Sequence, residues 1–126
     1  MFAKALKRVS STAAVSLLAA GSALALCATP AYASSGRVTC ATSAVVGMWV
    51  DVENGTDGWA TLSNTSDPTT KGWSYNTQNR RWRVFVGCGG TSQNWGQSIS
   101  SDFTSLQGTR TISCSDTGYV RKCIIG

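Results

Sequence analysis

The chain carries six carboxylates, five cysteines, five tryptophans and no histidine. That inventory decides which chemistries are open to it. Without histidine, Ser–His and Cys–His nucleophile systems are excluded. Nothing around Lys71 or Lys122 would make either a base for a serine. Asp51 and Glu53 stand two residues apart on one strand face, with Asp57 in the adjoining turn. A glycosidase needs two carboxylates straddling a cleft, one of them in an apolar pocket. A solvated hairpin face accounts for the same three residues without that pocket. Together with Asn54 they offer too few ligands for a dedicated calcium loop. The expectation is a protein with no catalytic residue, no metal site and no cofactor, and not an enzyme.

Binding chemistry is better supplied. Trp49, Trp59, Trp73, Trp82 and Trp95 are many large rings for a short chain. Some must fill the core; others, left on a β surface, are contact platforms for protein or sugar. Trp49 falls opposite Val46, Met48 and Val50, so it is a candidate for the second role. The run Arg80-Arg81-Trp82-Arg83 reads either as a charged strand edge that resists aggregation or as an Arg-and-aromatic contact patch. The candidate partner-binding residues are therefore Trp49, Trp59, Arg80, Arg81, Trp82, Arg83 and Trp95.

The elements that must position them read as all-β. Ser, Thr and Gly dominate from Ser34 onward, and short β-branched or aromatic runs alternate with Gly, Asn and Asp. Val45–Val52 reads as a strand with Val46, Met48, Val50 and Val52 on one face. Asn54-Gly55 marks a turn, because both residues tolerate positive φ. Trp59–Leu62 returns as a second strand, and Asn64–Gly72 is a polar loop. Trp73–Thr77 is a third strand. Trp82–Cys88 is a fourth, with Trp82, Val84, Val86 and Cys88 on one face. Phe103–Leu106 fits a strand or a helical turn. Thr109–Cys114 and Tyr119–Ile125 read as a final hairpin around Asp116-Thr117-Gly118. The expected fold is a small antiparallel barrel or sandwich built from hairpins.

Residues 1–33 read as a secretory signal. Lys4, Lys7 and Arg8 precede an apolar stretch from Ala13 to Ala28, and Ala31-Tyr32-Ala33 fits a cleavage site. The stretch is short for a membrane span. Three charges of the formal +5 leave with it, so the exported domain, Ser34–Gly126, is near +2. Nucleic-acid binding would ask for a stronger basic balance. The domain should be extracellular, free of the membrane after cleavage, with a flexible start.

Cys27 lies in the signal, which leaves Cys40, Cys88, Cys114 and Cys123. An even set in a small exported domain reads as two disulfides, and four cysteines allow three pairings. Cys40–Cys88 with Cys114–Cys123 is favoured, because the second pair is close in the chain and would clip a terminal hairpin. In the chain-entropy model such loops stabilise by roughly 4 and 3 kcal/mol. Zinc is disfavoured by the lack of histidine and of any C-x-x-C spacing.

Trp49-Val50-Asp51-Val52-Glu53-Asn54-Gly55-Thr56-Asp57-Gly58-Trp59 resembles the hairpin of bacterial SH3-type domains, whose pattern is W-x-V-x…N-G…G-W. That resemblance implies a small β-barrel and cell-wall or peptide binding. As a whole, the chain resembles small exported actinomycete proteins with two disulfides. It lacks the W-R-Y loop of the small amylase inhibitors, since Trp82-Arg83 is followed by Val84, and no subtilisin-inhibitor reactive loop is evident. In size, signal, cysteine content and lack of catalytic groups it is similar to the small adaptor subunit of umbrella toxin particles. That similarity implies an adaptor between a lectin-bearing subunit and a large toxin subunit, with a flexible start at Ser34–Arg37 that inserts into a partner. The leading expectation is thus a secreted protein-binding module. The alternatives are a cell-wall or glycan-binding module and an inhibitor of secreted hydrolases.

Overall fold

The structure, a computed structural model, describes residues 33–126. The expected signal, with Cys27, lies outside the described residues apart from Ala33. The described chain is all-β: β1 (Ala33–Cys40), β2 (Val45–Val52), β3 (Gly58–Trp59), β4 (Thr61–Asn64), β5 (Thr70–Asn76), β6 (Trp82–Gly90), β7 (Trp95–Ser100), β8 (Thr109–Cys114) and β9 (Cys123–Ile125). Two sheets form. One has the order β9-β8-β1-β5-β4, the other β3-β2-β6-β7. Their inner faces meet in one core, to which Val38, Trp73 and Ile112 come from the first sheet and Met48, Val50, Trp82, Val84, Val86 and Ile99 from the second. The arrangement is a sandwich. The barrel form, which the SH3-type resemblance also implied, is not what the chain adopts.

Both disulfides pair as favoured. Cys40–Cys88 ties β1 to β6 and so staples the two sheets across the core. Cys114–Cys123 joins directly opposed residues of β8 and β9. These bonds accord with an oxidising environment. No helix among the described residues is long and apolar enough to cross a membrane.

Four expectations about the elements are corrected. Ser34–Arg37 is not a flexible start: it belongs to β1, the central strand of its sheet, antiparallel to β5 and parallel to β8. Ser34 is fully buried, and its hydroxyl accepts from the Gly108 N–H at 3.1 Å. Val46 does not share the inner face with Met48. A bulge between Val45 and Gly47 inserts one residue and hands the inner position to Val45, which is 1% exposed. Trp59–Leu62 is not one strand. Trp59 pairs with Trp49 in the second sheet, the Ala60 N–H donates to the Met48 carbonyl at 2.9 Å, and the chain then crosses to pair Thr61–Asn64 with β5. Only Cys123–Ile125 of the expected last strand pairs with β8, while Tyr119 and Val120 project from the connecting loop. Smaller adjustments follow: β5 begins at Thr70, and Phe103–Leu106 is neither strand nor helix, with Thr104 making one bridge to Trp82.

Candidate functional site

The outer face of the four-stranded sheet carries most of the candidate residues, and the strand register explains why. Inward positions of β2 and β6 are apolar, so the residues between them point to solvent. Trp49 of β2 lies opposite Trp59 of β3 on one side and Phe85 of β6 on the other. One row of aromatic rings therefore crosses three strands. The next pair outward is Asp51 and Arg83, and beyond it the Glu53 N–H donates to the Arg81 carbonyl. Aromatic and charged rows thus sit side by side on one face.

The aromatic row is extended by Trp95. The Trp49 and Trp59 rings meet edge to face, with centroids 4.9 Å apart and planes at 85°. Trp59 meets Trp95 similarly, at 5.9 Å and 74°. Trp59 is 63% exposed, whereas Trp49 and Trp95 are half-buried. Trp95 reaches this position after β6 ends in Gly89 and Gly90, both at φ +77°, a conformation glycine adopts without steric cost. Its indole then lies on two small residues, Gly47 and Gly87. A Cβ at Gly47 would come within 2.6 Å of the ring, and one at Gly87 within 2.4 Å. The pair is a seat that larger side chains would fill.

Beside this trio is an open cleft of about 500 Å³, lined by Trp59, Ser92, Gln93, Asn94 and Trp95. Its loop is closed by mutual backbone hydrogen bonds between Thr91 and Asn94. The Thr91 hydroxyl also accepts from the Asn94 N–H at 3.1 Å. A smaller hollow of about 210 Å³ lies elsewhere, between Ser101–Thr104 and Lys122–Ile125.

Arg81 and Arg83 are paired in place. Arg83 Nε donates to Asp51 Oδ2 at 3.0 Å, and Asp51 Oδ1 accepts from Trp49 Nε1 at 3.1 Å. Arg81 pairs with Glu53 at 2.9 Å. Both guanidinium groups lie over the Phe103 ring, and that of Arg83 also over Phe85. Asp57, the third grouped carboxylate, accepts from the Val52 N–H at 2.6 Å and so closes the β2–β3 turn. The Asp51, Glu53 and Asp57 group is thus used to order the hairpin. Only Trp82 and Arg83 of the Arg80–Arg83 run lie in β6; there β2 pairs on one side and Thr104 bridges Trp82 on the other, so this end of the strand is not an open edge. Arg80 itself is exposed.

Trp82, a candidate contact residue, is not at the surface. It sits on the inner face of β6 with no exposed surface and packs 5.5 Å from Trp73. Its Nε1 donates to the Leu106 carbonyl at 2.7 Å. The same alternation that aligns Trp82 with Val84, Val86 and Cys88 requires this. Trp49, Trp59 and Trp95 are brought together; Arg83 is one row away, Arg81 a row beyond it, and Trp82 is on the other side of the sheet.

Sequence reasoning missed Asp116, the most buried carboxylate, at 2% exposure. Asp116 Oδ1 accepts from the Thr42 N–H at 3.0 Å and from the Thr42 hydroxyl at 3.1 Å. The Asp116 carbonyl accepts from Gln97 Nε2 at 2.8 Å. Burial alone would raise the carboxyl's pKa. Hydrogen bonds from the Ser43 hydroxyl and from the Thr42 hydroxyl and N–H outweigh burial, and the net shift is downward. Its role is to join the β1–β2 loop to the loop after β8. The only sequence signal was its place two residues after Cys114.

No family model, curated protein or solved structure matches the chain.

Proposed function

We propose that the protein is a secreted, non-catalytic binding module whose contact face is the outer surface of the β3-β2-β6-β7 sheet. The observation that carries this reading is the seated tryptophan trio. A ring 63% exposed between two partly covered ones is a costly arrangement for a protein to leave in water. The two disulfides and the residues 1–33 pattern support export. The lack of histidine supports a role in binding.

The test is retention. Disulfide-intact wild type and Trp59→Ala are passed over insoluble cell-wall material and over immobilised proteins from the medium of producing cells. Wild type should be held on one of the two. Trp59→Ala should elute early while still unfolding cooperatively well above the temperature of the assay. Equal retention of both forms, or of neither, overturns the reading.

One observation favours an adaptor with a second contact. The loop between β8 and β9 presents Tyr119 wholly outside the body, with Val120 at 75% exposure, and Arg121 pins it by donating to the Gly118 carbonyl and to Gln97 Oε1. An adaptor joining two proteins, as in a toxin assembly, would lose one partner with Trp59→Ala and the other with Tyr119→Ser. Loss of a single partner by both variants counts against it.

A further inference from the structure

We infer that the cleft between Trp59 and Trp95 binds a neutral saccharide. The inference rests on the outer face being a binding face and assigns the chemical class of its ligand. Two indoles at 74° form an L-shaped apolar wall. A sugar ring offers such a wall its polarised C–H face, which is attracted to the electron-rich face of an indole. The other wall is Ser92, Gln93 and Asn94. Each can both donate and accept, and their side chains make no hydrogen bond within the described structure, so they are free to meet a ring of hydroxyl groups. A sugar hydroxyl likewise donates and accepts, which distinguishes it from a phosphate, a carboxylate or an ammonium group.

Charge points the same way. No ionisable residue lines the cleft. The nearest arginine row is neutralised in place by Asp51 and Glu53. An anionic polymer would find no uncompensated cation here, and a cationic ligand no free carboxylate. Size agrees as well, since about 500 Å³ is within the range of small-ligand sites. Finally, the wall is preformed. Trp95 is held by the seat of Gly47 and Gly87, and the Thr91–Asn94 turn is closed by its own backbone, so only the exposed side chains of Ser92, Gln93 and Asn94 remain to be ordered on binding.

The experiment is a titration of the ¹⁵N-labelled, disulfide-intact protein with cellohexaose, chitohexaose and laminarihexaose, and with a polygalacturonate oligomer as the charged comparison. At least one neutral oligosaccharide should shift the indole N–H signals of Trp59 and Trp95 and leave that of Trp82 in place. Trp59→Ala, or the paired change Gln93→Ala and Asn94→Ala, should weaken that binding by roughly tenfold. The paired change alters only exposed loop side chains, so folding does not confound it. Absence of any shift with all three neutral probes at concentrations on the order of 10 mM overturns the inference. So does stronger binding of the charged oligomer. If Trp59→Ala still loses retention while no neutral probe binds, the face is a binding face and only the ligand class is wrong. If retention is also unaffected, both readings fall.

Discussion

Trp73 and Trp82 inside the sandwich and Trp49, Trp59 and Trp95 outside it are the same residue used in two ways. The inner pair touches at 5.5 Å and is at most 3% exposed. The outer trio touches at similar distances, yet its middle ring is largely in water. The inner rings fill volume between two sheets and are held from every side. The outer rings hold one another on one side only: Trp95 lies on two glycines and Trp49 is tied to Asp51. Ring-to-ring contact alone therefore says little about role. What separates the groups is whether removing a ring leaves a void or only bares a surface.

The largest break in that comparison comes from truncation. Trp82→Ala removes a fully buried indole and leaves the Leu106 carbonyl without its donor. Large-to-small changes of this kind cost about 3–5 kcal/mol, which for a small domain approaches its total stability. Denaturant unfolding should show a large fall in midpoint. Trp59→Ala should cost much less, about 1 kcal/mol, because a largely exposed ring loses only its two edge contacts. Equal losses in the two variants would erase the distinction between inner and outer rings.

A buried polar group sharpens the same contrast, because an interior charge depends on the few donors that reach it: Asp116 Oδ1 has two from Thr42, while Oδ2 has no hydrogen-bond partner among the described residues. Asp116 is buried and its carboxyl is held below the ordinary carboxylate range in the folded state. Its ionised form therefore stabilises the fold above the unfolded pKa, near 4. That contribution is lost as pH falls through the lower, folded value. Asp116→Asn should cost about 1–3 kcal/mol at neutral pH, since the amide cannot match a charged acceptor. It should also flatten the stability profile below about pH 4 relative to wild type. Parallel acid-denaturation curves for the two proteins would assign the buried carboxyl no such part.

How much of this could be read from residue order follows from the same physics. The alternation in Trp82–Cys88 placed that strand and its inner face correctly, because period 2 and burial agree there. It also placed Trp82 inward, and the contact role suggested by its arginine neighbours gave way to that alternation. Ser34-Ser35-Gly36 has the composition of a flexible start, yet Gly36 is packed so closely that a Cβ would meet the Arg110 carbonyl oxygen at 1.9 Å. That close approach depends on β8, more than seventy residues later, and no local pattern reports it. The crossing at Ala60 is equally silent, since a strand that changes sheets keeps its β-forming residues. Gly47 was the one available hint of the bulge that displaces Val46. At the site, alternation separated Trp82 from Trp49, but the meeting of Trp59 and Trp95 with Trp49 was not legible, because it depends on which strand lies opposite which.

A small expected effect on stability is the most informative about the outer group. Gly87→Ala places a methyl within 2.4 Å of the Trp95 ring, and Gly47→Ala places one within 2.6 Å. Two terms oppose each other. Alanine gains about 0.5–1 kcal/mol over glycine within a strand, and overpacking costs about 1–3 kcal/mol. In the core the second term would be felt in full, because a crowded ring has nowhere to go. Here the ring is half-exposed and can lift toward solvent, so the two terms should nearly cancel. The net loss should be about 1 kcal/mol or less. The geometry should change all the same. The Trp95 indole N–H signal should shift, its ring should become more exposed to a fluorescence quencher, and saccharide binding in the adjoining cleft should weaken. The Trp73 and Trp82 signals should stay where they are. A large loss of stability would mean that Trp95 is anchored as firmly as the inner pair. An unmoved Trp95 signal would mean that the glycine seat does not set its position, and the contrast between filled interior and assembled surface would lose its clearest example.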